Sequence, residues 1–235
     1  MKLRNVLALM ALPLILAACT VQESNSQRAQ PAASSGNAQL ASEPIAGTDY
    51  IETDTPPFQP GTGKIEVAEV FGYTCSHCAD LQPIINDWER TLPDDVNFIA
   101  VPGAFGGYWN PFAQAFFAAE EMGVLDKTHD AMFEAVRQRQ FPDANIETFA
   151  KVYSGFGVDP KAFTAAFNGP RVAAKMKRAQ QFAVQAKIEG TPSMVVNGRY
   201  TVPVGRKGFE GMLATVDWLV ERERNSASAT HQPAQ

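Results

Sequence analysis

Two cysteines held two residues apart, Cys75-Ser76-His77-Cys78, are the clearest chemical feature of this sequence. Upstream, the apolar and β-branched run Lys64–Phe71, bounded by Pro60-Gly61-Thr62-Gly63, predicts a strand. Downstream, Leu81, Ile84, Ile85 and Trp88 recur at helical spacing, so a helix is expected from about Cys75 to Arg90, kinked at Pro83. Cys75 then falls at a helix N-terminus, where unpaired amides and the positive end of the dipole favour an anion. A thiolate is such an anion, and its pKa should fall below the free value of about 8.5. Cys78 lies one turn on, within disulfide range but turned further inward. Cys75 is therefore the attacking sulfur and Cys78 the one that resolves a mixed disulfide. His77 can donate a ring proton toward Cys75 and add positive potential when protonated. Both effects stabilise the reduced form and make the Cys75–Cys78 disulfide a stronger oxidant.

Two blander readings compete. A closed zinc site needs four ligands, and one Cys-x-x-Cys with scattered His77, His129 and His231 supplies no second pair, so no metal is expected. A structural staple is the other, but so short a loop constrains little of the unfolded chain.

The third cysteine belongs to a different context. Lys2 and Arg4 precede an apolar stretch from Val6 to Leu16, with the charge and length of a secretory leader, residues 1–18. It ends in Leu16-Ala17-Ala18-Cys19, which resembles the lipobox of bacterial lipoproteins. That resemblance implies cleavage before Cys19, lipidation of its sulfur and attachment to a membrane. An ordinary leader with an incidental cysteine is the alternative. Residues 19–48 are rich in Ser, Ala, Gln and Pro and read as a disordered tether; residues 223–235 read as a disordered tail. The 235 residues leave room for one sizeable domain with an insertion. Acidic side chains outnumber basic ones, 25 to 20, and no basic patch is visible, which argues against a nucleic-acid partner.

The remaining elements are those that must position the cysteines. Asn97–Val101 predicts a second strand running into Pro102-Gly103. From Pro111 to about Lys187 the spacing is helical throughout. One helix ends near Gly123, Asp126 reads as the cap of the next, and Ile146–Tyr153 forms another apolar face. Asp159-Pro160 opens a helix that Asn168-Gly169 stops, and a long one spans Arg171–Lys187. Ser193–Asn197 and Arg199–Val202 form a hairpin around Asn197-Gly198, and a last helix covers about Gly208–Glu221. The expected fold is α/β. A small central mixed sheet flanked by helices, residues 49–106 and 188–222, is interrupted by an all-helical subdomain over 107–187. Phe105, Tyr108, Trp109 and Phe112 cluster before that insertion. They read mainly as core, with a share available to line a hydrophobic groove.

Glu69-Val-Phe-Gly-Tyr-Thr-Cys-Ser-His-Cys78, together with Gly190-Thr-Pro-Ser-Met-Val-Val-Asn-Gly-Arg-Tyr200, resembles the DsbA family of bacterial periplasmic disulfide oxidoreductases, within the thioredoxin superfamily. The likeness spans roughly Tyr50 to Arg222. It implies a thioredoxin-like fold and a periplasmic enzyme that introduces disulfides into unfolded exported proteins bearing free thiols. It also implies reoxidation by a DsbB-type quinone-linked membrane oxidase, and no cofactor. Thr191-Pro192 matches the family's cis-proline loop. That loop presents the Thr191 backbone to a substrate chain, and Thr191 tunes release of the mixed disulfide. Glu69 matches a buried acid that relays a proton to the resolving cysteine, against the alternative of an outward-facing strand carboxylate. Ser76 departs from the family's usual proline, which leaves the oxidising strength open. The alternatives are a periplasmic reductase or isomerase, and a lipid-anchored binding module with a structural disulfide.

Overall fold

The computed structural model describes residues 43–230. The leader, Cys19 and most of the tether lie outside them. In chain order the elements are β1 (Ile51–Glu52), β2 (Ile65–Phe71), α1 (Ser76–Glu89), β3 (Val96–Pro102), α2 (Trp109–Glu121) and α3 (Leu125–Arg137). They continue with α4 (Ile146–Ser154), α5 (Pro160–Phe167), α6 (Pro170–Gln185), β4 (Ser193–Val196), β5 (Tyr200–Pro203) and α7 (Gly208–Thr230).

The strands form one mixed sheet in the order β1-β5-β4-β2-β3. β2 and β3 run parallel, from Ile65 opposite Val96 to Phe71 opposite Pro102, with α1 as the crossover between them. β4 pairs antiparallel with β2, and β5 with β4. This register sets Ser193 beside Val70 and Met194 beside Glu69, which carries the loop before β4 to the end of β2 where α1 begins.

Two apolar cores divide the work. Val67, Leu81, Ile85, Val196, Val216 and Leu219 join the sheet to α1 and α7. On the side of the helical insertion, Val70 and Phe71 pack with Phe112, Phe116, Phe149 and Phe163. Phe149 and Phe163 are fully buried, and each contributes roughly 1.5–3 kcal/mol relative to an exposed side chain. α5 begins as its sequence dictates, with Asp159 Oδ1 accepting from the Ala162 amide and Pro160 in the first turn.

Several sequence expectations are corrected. α7 continues to Thr230, so residues 223–230 are helical rather than a disordered tail. Glu223 is buried there and accepts from Asn197 Nδ2 at 2.7 Å and Arg199 Nη1 at 3.0 Å, which anchors the helix on the hairpin turn. The tether reading also runs too far. Residues 45–48 form a turn closed by Ile45 N donating to Asp49 Oδ2, and Ala46 bridges Tyr50, whose ring is in the core. Asp126 is not a cap. Val124 holds that position and Asp126 sits in the first turn, still favourably placed against the helix dipole. α1 runs on through Pro83.

Candidate active site at the start of the first helix

β2 ends at Phe71 and the chain turns through Gly72, Tyr73 and Thr74 before α1. Gly72 is required by close approach, since a Cβ there would lie 2.1 Å from the Trp109 ring. The Cys75 amide donates to the Gly72 carbonyl at 3.0 Å, closing the turn. Cys75 is the N-cap of α1, with extended backbone (φ −89°, ψ 115°), and its sulfur accepts from the Cys78 amide at 3.4 Å. A sulfur thus occupies the place usually taken by a capping oxygen. Cys75 is partly exposed, whereas Cys78 is fully buried.

The Thr191–Pro192 peptide bond is cis. The Ser193 hydroxyl donates to the Gly190 carbonyl at 2.8 Å, bracing the loop, and the Cys75 thiol donates to the Thr191 carbonyl at 3.4 Å. Residues 116 positions apart in sequence therefore meet at one sulfur.

The electrostatics separate the two thiols. The Cys75 pKa is held down to about 5, first by the hydrogen bond from the Cys78 side chain. Burial opposes this; the Thr191 side chain and the amides of Cys78 and His77 reinforce it. Cys78 goes the other way, pushed up by its bond to the Cys75 sulfur and by burial. Glu69 is buried, not outward-facing, and neither carboxylate oxygen has a hydrogen-bond partner among the described residues. Burial, then the Cys75 charge, push its pKa up to about 8.

His77 and Ser76 are exposed. Among the described residues the His77 ring makes no hydrogen bond to Cys75; its contribution comes through the backbone amide. The ring instead lines a groove of about 370 Å³, together with Ile51, Gly190, Thr191, Pro192 and Val204. Phe105 and Tyr108 stand exposed on the loop after β3, while Phe112 is core.

Sequence reading did not bring Tyr73 and His129 together. Tyr73 OH and His129 Nδ1 lie 2.9 Å apart, and burial lowers the His129 pKa to about 4. His129 also lines a cleft of about 610 Å³ that reaches Glu69. No local signal marks this pair. The apolar face of α3, with Met132 and Phe133, is its only trace.

A family profile described as a DSBA-like thioredoxin domain matches residues 99–216. The thiol:disulfide interchange protein DsbA of Pseudomonas aeruginosa strain PAO1 is 38% identical over 193 residues, covering 82% of this chain and 92% of that protein. Its namesake from Azotobacter vinelandii is 42% identical over 183 residues, covering 77% and 85%. The crystal structure of oxidoreductase DsbA from Xylella fastidiosa superposes with a TM-score of 0.73 at 44% identity, covering 77% of this chain and 98% of that one. Pseudomonas aeruginosa DsbA gives 0.73 at 38% identity, covering 78% and 96%.

Proposed function

The chain belongs to the DsbA family of thiol:disulfide interchange proteins, and from that membership we propose how its own residues carry the exchange. The enzyme is a thiol:disulfide oxidoreductase that introduces disulfide bonds into other proteins. In the oxidised enzyme a client thiolate attacks Cys75 Sγ and the Cys75–Cys78 bond breaks, with its electron pair leaving on Cys78. Glu69, still a neutral acid near pH 7 and close enough for its charge to raise the Cys78 pKa, is the proton source for that buried sulfur in this reading. A second client thiolate then attacks the client sulfur of the mixed disulfide and expels Cys75 as a thiolate. The client loses two electrons and two protons; the Cys75–Cys78 pair is reduced by two electrons.

The observation that carries this reading is the sulfur serving as helix cap. A Cys75 pKa near 5 makes it a stable leaving thiolate, so the equilibrium favours the reduced enzyme and an oxidised client. Thr191 supports the thiolate through its side chain and presents its backbone beside the groove, where an extended client chain would lie, flanked by His77. Ser76 tunes the helix start. Exported proteins with free thiols are the clients in this reading. Reoxidation needs a two-electron acceptor, supplied by a DsbB-type quinone-linked membrane oxidase. The leader and the lipobox-like Leu16–Cys19 support a periplasmic enzyme tethered through lipid on Cys19. Changing Cys19 to Ala should move the protein from the membrane to the soluble fraction.

The decisive experiment replaces Cys78 with Ala. Mixed disulfides with client proteins should accumulate through Cys75 and disappear on reduction; a chain that traps none is not an exchange catalyst. A measured potential well above thioredoxin's, about −270 mV, sets an oxidase apart from a reductase.

A further inference from the structure

The cleft behind Glu69 has lining residues, beyond Glu69 itself, that the exchange reaction does not use. Its lower part is apolar, with Phe98, Ile99, Ala100, Phe116 and Leu125. Two of its lining residues carry buried polar atoms without partners among the described residues. Both oxygens of Glu69, 1% exposed, and Oε1 of Gln82, 7% exposed, lack a hydrogen bond. Buried acceptors left unpaired cost about 1–3 kcal/mol each, so such a site gains from a donor that enters it. Toward solvent, α1 contributes Glu89 and α3 contributes Asp126; burial raises the Glu89 pKa, the Arg90 charge lowers it and the Asp126 charge raises it. The carboxylates already satisfied are elsewhere on the rim. Glu120 is paired with Lys175 at 2.9 Å and Asp130 accepts from Asn86 at 2.8 Å. Arg90, the one arginine or lysine among the lining residues, is paired with Asp87.

We propose that this cleft is a binding site for a small aliphatic diammonium ion, with one ammonium donating to Glu69 and Gln82 at the floor, the methylene stem against the apolar wall, and the second ammonium between Glu89 and Asp126. The inner end then meets acceptors that have no partner among the described residues, the outer end meets two solvent-exposed carboxylates, and the stem covers hydrocarbon. The site shares no lining residue with the groove at His77 and Thr191. The groups around Glu69 are Cys75 at the N-cap of α1, Cys78 and Gln82 within it, Glu120 from α2, and His129 and Asp130 from α3. None is a free cation, so the entering ammonium would be the first positive charge beside Glu69.

The probe is putrescine, titrated into the full chain and followed by amide chemical shifts. Saturable shifts are expected around Glu69, Glu89, Asp126 and His129, growing tighter as pH rises through about 8, where Glu69 ionises. The E89Q/D126N double variant, which leaves the cysteine site intact, should bind about tenfold more weakly, since two partly exposed ion pairs are together worth about that much. Butylamine should bind more weakly than the diamine, and butanediol not at all. Unsaturable shifts, equal affinity in the double variant, or equal binding of butanediol each overturn the site.

Discussion

Cys75 and Glu69 are electrostatic neighbours pushed in opposite directions. The sulfur stands at the open end of α1 among donors, from Cys78, Thr191 and the His77 amide, and its pKa falls to about 5. The carboxyl stands in β2 with no donor among the described residues, and its pKa rises to about 8. Ordinarily the acid would ionise some four units before the thiol. Here their order is reversed, which gives one site a stable anion and a proton source at the same pH. What decides each group is whether donors or hydrocarbon surround it, and only then its neighbour's charge.

The largest test of that contrast is Glu69→Gln in the reduced protein. Because burial raises the folded pKa of Glu69 from 4.5 to about 8, the stability held by its neutral form is complete below the lower value and is lost as pH rises through the upper one. The variant escapes that loss. At about pH 9 it should be more stable than the parent by on the order of 2–3 kcal/mol, after allowing for the unpaired groups of its own amide. Urea unfolding at about pH 4 and pH 9 checks this, and an unchanged difference at the two pH values breaks the comparison. Thr191→Val attacks the other side. Losing one side-chain donor should make Cys75 ionise about one pH unit higher, read from thiolate ultraviolet absorbance. Ser76→Pro should do least. Cys75 has the extended backbone that suits a residue before proline, Ser76 is the first helical position, and the amides that hold the thiolate are those of His77 and Cys78. Ionisation of Cys75 should move by less than about half a unit, while stability rises by about 0.4–1 kcal/mol through the unfolded chain.

The parts of this site that were legible in the sequence are those set by nearby residues. The strand–turn–helix junction, the inward turn of Cys78 and the capping place of Cys75 follow from spacing alone. Glu69 shows where such reading stops. Alternation decides which way a strand residue faces only when one side meets water, and six of the seven residues of β2 are buried. Its burial became readable only through the resemblance to a family. Tyr73 and His129 are 56 residues apart, and nothing in either neighbourhood announces the other. α7 outran its expected end for the same reason, because its anchor is the hairpin turn 26 residues away. β1, two residues long, carries too little pattern to be seen.

That minute strand has a consequence for an enzyme that exchanges disulfides with other proteins. An unpaired sheet edge is a template along which any extended chain can zip. β1 occupies β5 at Thr201 and Tyr200, and its Ile51 also forms one wall of the groove beside Thr191. A visiting polypeptide therefore finds a berth for a short stretch beside the sulfur and, at Thr201 and Tyr200, backbone that is already taken. Strand addition onto β5 at those two residues is thereby closed to it.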